Sequence, residues 1–561
     1  MPNRILVAKD RPWFRCWPRL LPKSLDYPEI PLFETLEVTA KRYPNKTAII
    51  YYGRTIPYEA LWESSLRLAT SLKDMGIRKG DRVAVHLPNT PHAVIAYYGI
   101  LRANAVVVAM DPMASVDGLK ALLADSGCRV MVTLTSALQK IRGIQEDTPL
   151  EQVIACRYRD YLPEKPALPV PSSLLMPEPV DPSVRNWQDI LNDRMDPPAI
   201  EVGPDDPALI MYTSGTTGER KGALHTHWNL IVNTLRAAAW NYNYPSSMHL
   251  AVLPLFHITG MHYCMTAPVY TGGTMVLLSR WDREAALQAI ETYACTHFSN
   301  ITTIVVDLLA IPHIEKRNLS SLIVFGGGGA AVPDAIGDRL AAMGLLYTEG
   351  YGLTEAGSGT HVNPRDRISI KCMGIPLFDI DSRIIDPETL QEMPVGQSGE
   401  LIMRTPSMFR EFWNKPEETA KAFVEIDGKR WLRTGDIVRM DGDGNHYFVD
   451  RLKRLVNRAG LKVWPAAIEG DYYKHPAIQE ACIIGTADER VGEEVKVCVV
   501  LREDCREAVT EAEILAWGKE RFAAHEYPRI VEFVQELPKN ASGKIQWRIL
   551  QERENAGGRD R

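Results

Sequence analysis

The period of the apolar positions changes repeatedly along the chain, and the changes predict alternating helices and strands. Over 59–75 (EALWESSLRLATSLKDM), Leu61, Ser64–Ser65, Leu68 and Leu72 recur at helical spacing, and Gly76 supplies a stop. RVAVHL at 82–87 reads as a buried strand, 90–103 as the helix after it, and NAVVVAM at 104–110 as the next strand. Strand–helix–strand units of this kind build mainly parallel sheets covered on both faces. Residues 157–207 break the cadence. They hold 11 of the 38 prolines and read as a surface excursion or a connection between subdomains, with a short helix at 186–193. A second change falls near 450, where DGDGNHYFVD (441–450) turns into a strand and the basic stretch RLKRLVNR (451–458) follows. Strands at 481–485, 495–501 and 530–534 and a helix at 510–524 then suffice for a small α+β domain. The expected class is α/β: a large N-terminal domain of sandwiched mixed and parallel sheets with helices (1–450), plus a small α+β C-terminal domain (456–561). No repeat of 20–50 residues is found.

Composition narrows the class. Of 561 residues, 45% are hydrophobic and 24% charged, which excludes global disorder and fibrous architectures. Lys and Arg number 64 against 70 Asp and Glu, a net charge of −6; a role that depends on wrapping nucleic acid is disfavoured. The nine cysteines are scattered without C-x-x-C spacing, so free thiols in a reducing compartment are expected. No apolar run approaches the ~18–20 residues of a membrane span, and no signal-peptide core follows Met1–Ile5; a cytoplasmic location is the expectation. The segment RPWFRCWPRLLPK (11–23) mixes four basic residues with Trp13, Phe14 and Trp17. Its prolines argue against an amphipathic helix, which favours an arm packed on the body over a peripheral membrane contact.

Candidate chemistry concentrates in MYTSGTTGERKG (211–222), between the apolar strand ALIMY (208–212) and a helix starting near His227. Thr213, Ser214, Thr216 and Thr217 offer hydroxyls. Gly215 and Gly218 permit turns that aim backbone N–H groups inward, and Lys221 adds a cation. Such a loop is built to hold phosphate oxygens, although its glycine spacing is not that of a Walker A motif. The run GGGGAA (326–331) after SLIVF also satisfies G-x-G-x-x-A. It lies deep in the chain, and a dinucleotide-dependent oxidoreductase is not favoured. No G-x-S-x-G nucleophile elbow occurs, and His225 and His227 lack the acidic cluster that would complete a metal site.

TSGTTGERKG closely resembles TSGTTGxPKG, the phosphate-binding signature of the adenylate-forming acyl-CoA synthetases, with Arg220 in the place of proline. Six further segments resemble motifs of that family in chain order. PLFHITG (254–260) is similar to P-x-F-H-x-x-G, Gly326–Ala331 to the adenine-binding loop, and Tyr351-Gly352-Leu353-Thr354-Glu355 to YG-x-TE. Thr434-Gly435-Asp436 is similar to TGD, Asp450-Arg451-Leu452-Lys453-Arg454 to the interdomain hinge motif, and PKNASGK (538–544) to PK-x-x-x-GK. The likeness covers about residues 25–555. Two departures stand out: Arg454 where the family is usually acidic, and Ala467 where it often has Glu.

The resemblance implies an ATP-dependent ligase working in two half-reactions. A carboxylate attacks the α-phosphorus of MgATP, giving acyl-AMP and pyrophosphate; the thiol of coenzyme A then takes the acyl group and AMP leaves. ATP and AMP would be held by Thr213, Ser214, Gly215, Thr216, Thr217, Gly218, Lys221, Gly328, Gly329, Ala330, Tyr351, Asp436 and Arg451, with Asp436 accepting from the ribose hydroxyls. Thr354 and Glu355 would serve catalysis, Glu355 as a hard oxygen ligand orienting Mg²⁺ on the phosphates. Lys544 would bridge the acid's carboxylate and the α-phosphate. Lys453, within a hinge at 451–455, would be the pivot on which the mobile small domain (456–561) swings to admit coenzyme A. His257 would gate or position the acyl group, or be a satisfied core histidine. The acyl pocket would draw on Trp240, His257, Met261, Thr302, Gly327 and Gly328. No charged residue occurs in 299–306, which favours an apolar acid. The N-terminal segment looks most like bacterial medium- and long-chain fatty-acid ligases. Short, branched, sulfur-containing or aryl acids, and a carrier-protein or amine acceptor, are the alternatives. A non-catalytic binding protein would not need both Lys544 and Glu355. A homodimer is implied by the resemblance alone.

Overall fold

The computed structural model describes residues 11–178, 180–213, 220–329, 332–505, 509–539 and 545–557. They group into two compact units. One is the chain up to Ser382 with Met403–Leu432 and Asp443–Asn445; the other is Arg383–Ile402, Arg433–Gly442 and the chain from His446.

The first unit is built on two large sheets. In one, six strands lie side by side and parallel: Tyr347–Leu353, Val324–Gly328, His297–Ile301, Met248–Ala251, Thr274–Leu277 and Thr47–Tyr51. Antiparallel strands extend both edges, Arg54–Pro57 at one and Ser358–Val362 with Ile375–Pro376 at the other. The second sheet has eight strands, and its parallel part runs Pro207–Tyr212, Val106–Ala109, Arg82–His86, Val130–Leu134, Gln152–Cys156 and Arg185–Asn186. Gly222–Thr226 and Glu411–Phe412 close its other edge antiparallel. Val106–Ala109 and Val130–Leu134 are buried along their whole length, as strands covered on both faces must be. One apolar cluster takes residues from both sheets, including Ile49, Val276, Phe298, Val83, Val107 and Leu209.

The helix predicted over 59–75 runs Tyr58–Asp74, that over 90–103 runs Pro91–Arg102, and the one predicted near His227 runs His227–Trp240. The proline-rich stretch belongs to the first unit on both sides. It buries Leu168, Leu174, Trp187 and Ile190 and contributes the edge strand Arg185–Asn186. The segment 11–23 forms one 3₁₀ turn, Pro12–Arg15, and packs as an arm. Trp13 and Trp17 are buried, and Arg11 pairs with Asp381 at 3.0 Å.

The second unit carries a terminal sheet in the order Leu461–Val463, Val456–Arg458, Gly492–Leu501 and Ile478–Asp488, with Ile530–Phe533 parallel to Gly492–Leu501. Its own core includes Val456, Val463, Ile468, Tyr472, Val497 and Ile514. The contact division differs from the change of cadence near 450, because His446–Arg451 pairs antiparallel with Asp436–Met440 and that hairpin groups with the C-terminal residues. All nine cysteines are free, eight of them buried. Among the described residues no helix is long and apolar enough to cross a membrane.

Burial sets one solution property. His86, His225, His227 and His297 are buried in the first unit, and desolvation lowers each to about 4. His262, equally buried, falls to about 3, again mainly from desolvation. An unfolded histidine titrates near 6.5, so between about pH 6.5 and 4 the unfolded chain binds the extra protons and stability falls with falling pH, by up to about 1.4 kcal/mol per pH unit for each group. The melting temperature is expected to drop from pH 7 to pH 5, with a shallower slope in His86→Gln. An identical slope in that variant would contradict the neutral, buried state of His86.

Candidate active site

Pro207–Tyr212 and Gly222–Thr226 form an antiparallel hairpin in which Tyr212 faces Gly222. The Thr213 N–H donates to the Lys221 carbonyl at 2.9 Å, closing the base of the hydroxyl-rich loop. A Cβ on Gly222 would lie 2.7 Å from Ile210 Cγ2, so only glycine fits. Ser214, Gly215, Thr216, Thr217 and Gly218 lie outside the described residues. Lys221 donates to the carboxylate of Glu418 and sits 5.2 Å from the Phe412 ring centroid. Glu418, on the helix Pro416–Lys421, also accepts from Lys421 at 2.8 Å. The two lysines, Lys221 foremost, hold its carboxyl at about 2. Sequence reasoning missed Glu418. An acidic first turn after a proline looks like any solvent-facing helix start, and its partner is 197 residues away.

A second group gathers at the carboxyl ends of three adjacent parallel strands, the usual place for a ligand crevice in such sheets. Across them Asn300 faces Gly327, which faces Glu349; Ile301 faces Gly328, which faces Gly350. A Cβ on Gly327 would lie 1.7 Å from the Asn300 carbonyl oxygen, and one on Gly328 2.3 Å from that of Gly350. The glycines therefore let three backbones approach closely. Gly329 continues with φ +94°, a left-handed value; Ala330 lies outside the described residues. Thr302 opens the helix Thr302–Leu309 directly after its strand. The Tyr351 ring meets His361 edge-on at 5.9 Å. Past Leu353 the chain makes the 3₁₀ turn Thr354–Ala356, capped by Gly357 at φ +84°, and Glu355 is half-buried there.

The residues named for an acyl pocket fall in separate places. His257 is exposed and caps the helix Ile258–Met261, accepting from the Thr259 N–H at 3.3 Å; it is not a core histidine. Met261 is fully buried and lines a narrow apolar cavity with Val85, Tyr97, Leu255, Phe256 and Met265, with room for little more than a water molecule. Trp240 packs elsewhere, edge-on to Trp17 at 5.5 Å and to Phe378 at 5.8 Å. Thr302, Gly327 and Gly328 belong to the strand-end group above.

In the second unit, Asp436 faces Arg451 across the hairpin, and Arg451 Nε lies 3.0 Å from its Oδ1. Thr434 Oγ1 donates to the Leu401 carbonyl at 2.6 Å and accepts from the Asp436 N–H at 3.1 Å. That fixes the turn which presents Asp436. Lys453 is exposed in the 3₁₀ turn Leu452–Arg454. One of the two departures near the hinge, Arg454, has acidic partners. Arg454 bonds Glu469 through Nη1 at 3.2 Å and lies 3.8 Å from Asp450, so a basic residue at 454 is matched by the acid two positions past Ala467. Asp450 accepts from the Ala466 N–H at 2.7 Å, and burial raises its carboxyl. Lys544 lies outside the described residues. Among the described residues no group of three His, Cys, Asp or Glu side chains could hold a metal ion by itself.

Comparison with known proteins defines the class. The AMP-binding enzyme family model matches residues 36–413, and the AMP-binding enzyme C-terminal domain matches 467–544. The chain belongs to this family, the adenylate-forming acyl-CoA synthetase superfamily. It is an AMP-forming acyl-CoA synthetase. It is 34% identical to a long-chain-fatty-acid–CoA ligase of Bacillus subtilis over 98% of this chain and 99% of the relative. It is 32% identical to a feruloyl-CoA synthase of a Streptomyces species over 90% and 95%. The crystal structure of ATP-bound MatB from Rhodopseudomonas palustris superposes with a TM-score of 0.81 at 26% identity, covering 94% of this chain and 99% of that one.

Proposed function

We propose that this protein activates a long-chain fatty acid as its acyl-adenylate and transfers the acyl group to coenzyme A. The observation that carries this reading is the full-length likeness to a long-chain-fatty-acid–CoA ligase; the lining of the narrow cavity around Met261 is apolar, as an acyl tail requires. That cavity must widen to take an acyl tail, and Met261 and Met265 are suited to moving, since methionine is flexible.

In the first half-reaction a carboxylate oxygen attacks the α-phosphorus of ATP, the bond to the β-phosphate oxygen breaks, and pyrophosphate leaves. Thr213, Lys221 and the loop between them hold the phosphates. The glycine strand ends from Gly327 to Gly329 and Tyr351 offer a flat surface to the base, and Asp436, oriented by Arg451, accepts from the ribose hydroxyls. Lys544 neutralises charge at the α-phosphate. Mg²⁺ usually keeps several waters and takes one or two carboxylates plus substrate phosphates. Glu355, half-buried beside Thr354, fits that donor set: it would supply one carboxylate, with the phosphate oxygens of ATP as the other ligands. In the second half-reaction the coenzyme A thiolate attacks the acyl carbonyl, the C–O bond to the phosphate breaks, and AMP leaves. The hinge at 451–455, with Lys453 as pivot, separates the two steps.

The test is pyrophosphate release over a panel of acids, with and without coenzyme A. Release with long-chain acids is expected, with AMP and acyl-CoA formed in equal amounts. Lys544→Ala should slow adenylation about 10²–10³-fold while ATP binding by calorimetry persists. Ferulate preferred over palmitate would overturn the acid assignment, and release without thioester would favour a carrier-protein or amine acceptor. Glu418 competes with phosphate for Lys221 as a partly exposed ion pair, worth up to about 1 kcal/mol. Glu418→Gln should therefore lower KM for ATP by up to about fivefold. A large rise would mean that Glu418 holds Lys221 in its working position.

A further inference from the structure

Two backbone carbonyls of the Thr354–Ala356 turn are held by one short segment. The Phe409 N–H donates to the Glu355 carbonyl at 2.8 Å, and Ser407 Oγ donates to the Ala356 carbonyl at 2.8 Å. Ser407 is fully buried and has a single hydroxyl proton. With that proton on Ala356, its oxygen accepts from Arg236 Nη1 at 2.8 Å and from Thr405 Oγ1 at 2.9 Å.

Arg236 is 1% exposed. Its other terminal nitrogen, Nη2, donates to the Asp379 backbone carbonyl at 3.3 Å, and among the described residues it forms no ion pair. The Asp379 carboxylate is engaged by Ser24 Oγ at 2.6 Å, the Tyr27 hydroxyl at 2.7 Å and the Leu25 N–H at 3.1 Å. A guanidinium buried without an ion pair is costly to desolvate, and core packing alone would be served better by an apolar side chain. Arg236 is not isolated on its helix. Asn229, Asn233 and Arg236 follow helical spacing on one face. Asn229 Nδ2 donates to the Pro406 carbonyl at 3.0 Å, and a Cβ on Gly357 would lie 1.9 Å from Asn233 Nδ2. This is also the helix that follows the strand leaving Lys221.

We propose that Arg236 and Ser407 are positioning residues that set the Thr354–Ala356 turn, and with it Glu355, relative to the helix His227–Trp240 and the strand that leads into it from Lys221. The proposal rests on the role given to Glu355 above. Neither side chain touches substrate; they act through the backbone of the turn.

The test compares wild type, Ser407→Ala, Ser407→Thr, Arg236→Met and, as reference, Glu355→Gln. Hydrogen exchange of the ligand-free protein is read over residues 350–360 and, as control, over Val106–Ala109. Ser407→Ala is expected to speed exchange in 350–360 and leave the control unchanged. Its adenylation kcat should fall about 10–100-fold, with the Mg²⁺ concentration for half-maximal rate raised and KM for the acid unchanged. Arg236→Met should share this pattern, the double variant should be no worse than the worse single one, and Ser407→Thr, which keeps the hydroxyl, should stay close to wild type. Normal exchange and rate in Ser407→Ala, beside a crippled Glu355→Gln, would overturn the proposal alone. Equal defects in Ser407→Thr and Ser407→Ala would assign the effect to packing and also overturn it. A normal rate in Glu355→Gln would overturn the role of Glu355 and the proposal with it.

Discussion

Tyr212 stands opposite Gly222, and Thr213 closes onto Lys221, because the strand Pro207–Tyr212 has only one register available to it. On one side it is parallel to Val106–Ala109, with Ile210 beside Val108; on the other it is antiparallel to Gly222–Thr226. A slip of one residue would turn every side chain of this buried strand to the wrong face. Thr213 is thereby fixed at the carboxyl end of the parallel strands, and Lys221 is brought back to the same edge. The helix His227–Trp240 then starts from a defined point, its Thr226 hydroxyl accepting from the Asn229 N–H.

The nine-stranded sheet meets a different constraint. Its strands approach closely at their carboxyl ends only because Gly326, Gly327 and Gly328 carry no side chains. Any Cβ would strike a neighbouring backbone or, at Gly326, also the Thr348 hydroxyl. Close approach leaves those ends bare of bulk, and the turn that carries Glu355 emerges beside them. A bare surface needs support from elsewhere, and the segment Thr405–Phe409 supplies it through two carbonyls of the turn.

Much of this was legible in the sequence, for physical reasons that are local. Apolar runs and helical spacing marked Arg82–His86 and Pro91–Arg102 within a few residues and the start of a helix at His227, since burial of a strand or helix face is written in the order of its own side chains. The motif segments were legible because each needs particular residue types side by side. What stayed hidden depends on distant partners. Ser407 and Arg236 are 171 residues apart, and neither lies in a recognisable pattern. Trp240 looked like a pocket wall because nothing local shows that Trp17 and Phe378 cover it. His257 left two alternatives open, and only its exposure removes one of them, the core histidine. Arg454 looked like a bare departure until the structure showed its ion pair with Glu469, 15 residues on.

The central claim is that a carboxylate oxygen of the acid attacks the α-phosphorus of the nucleotide. Palmitate carrying ¹⁸O in both carboxylate positions, incubated with the enzyme, ATP, Mg²⁺ and coenzyme A, tests it most directly. Mass spectrometry of the products should find one ¹⁸O in AMP and none in pyrophosphate. Label in pyrophosphate or inorganic phosphate, with AMP unlabelled, would mean that the acid is activated at another phosphorus and would contradict the account.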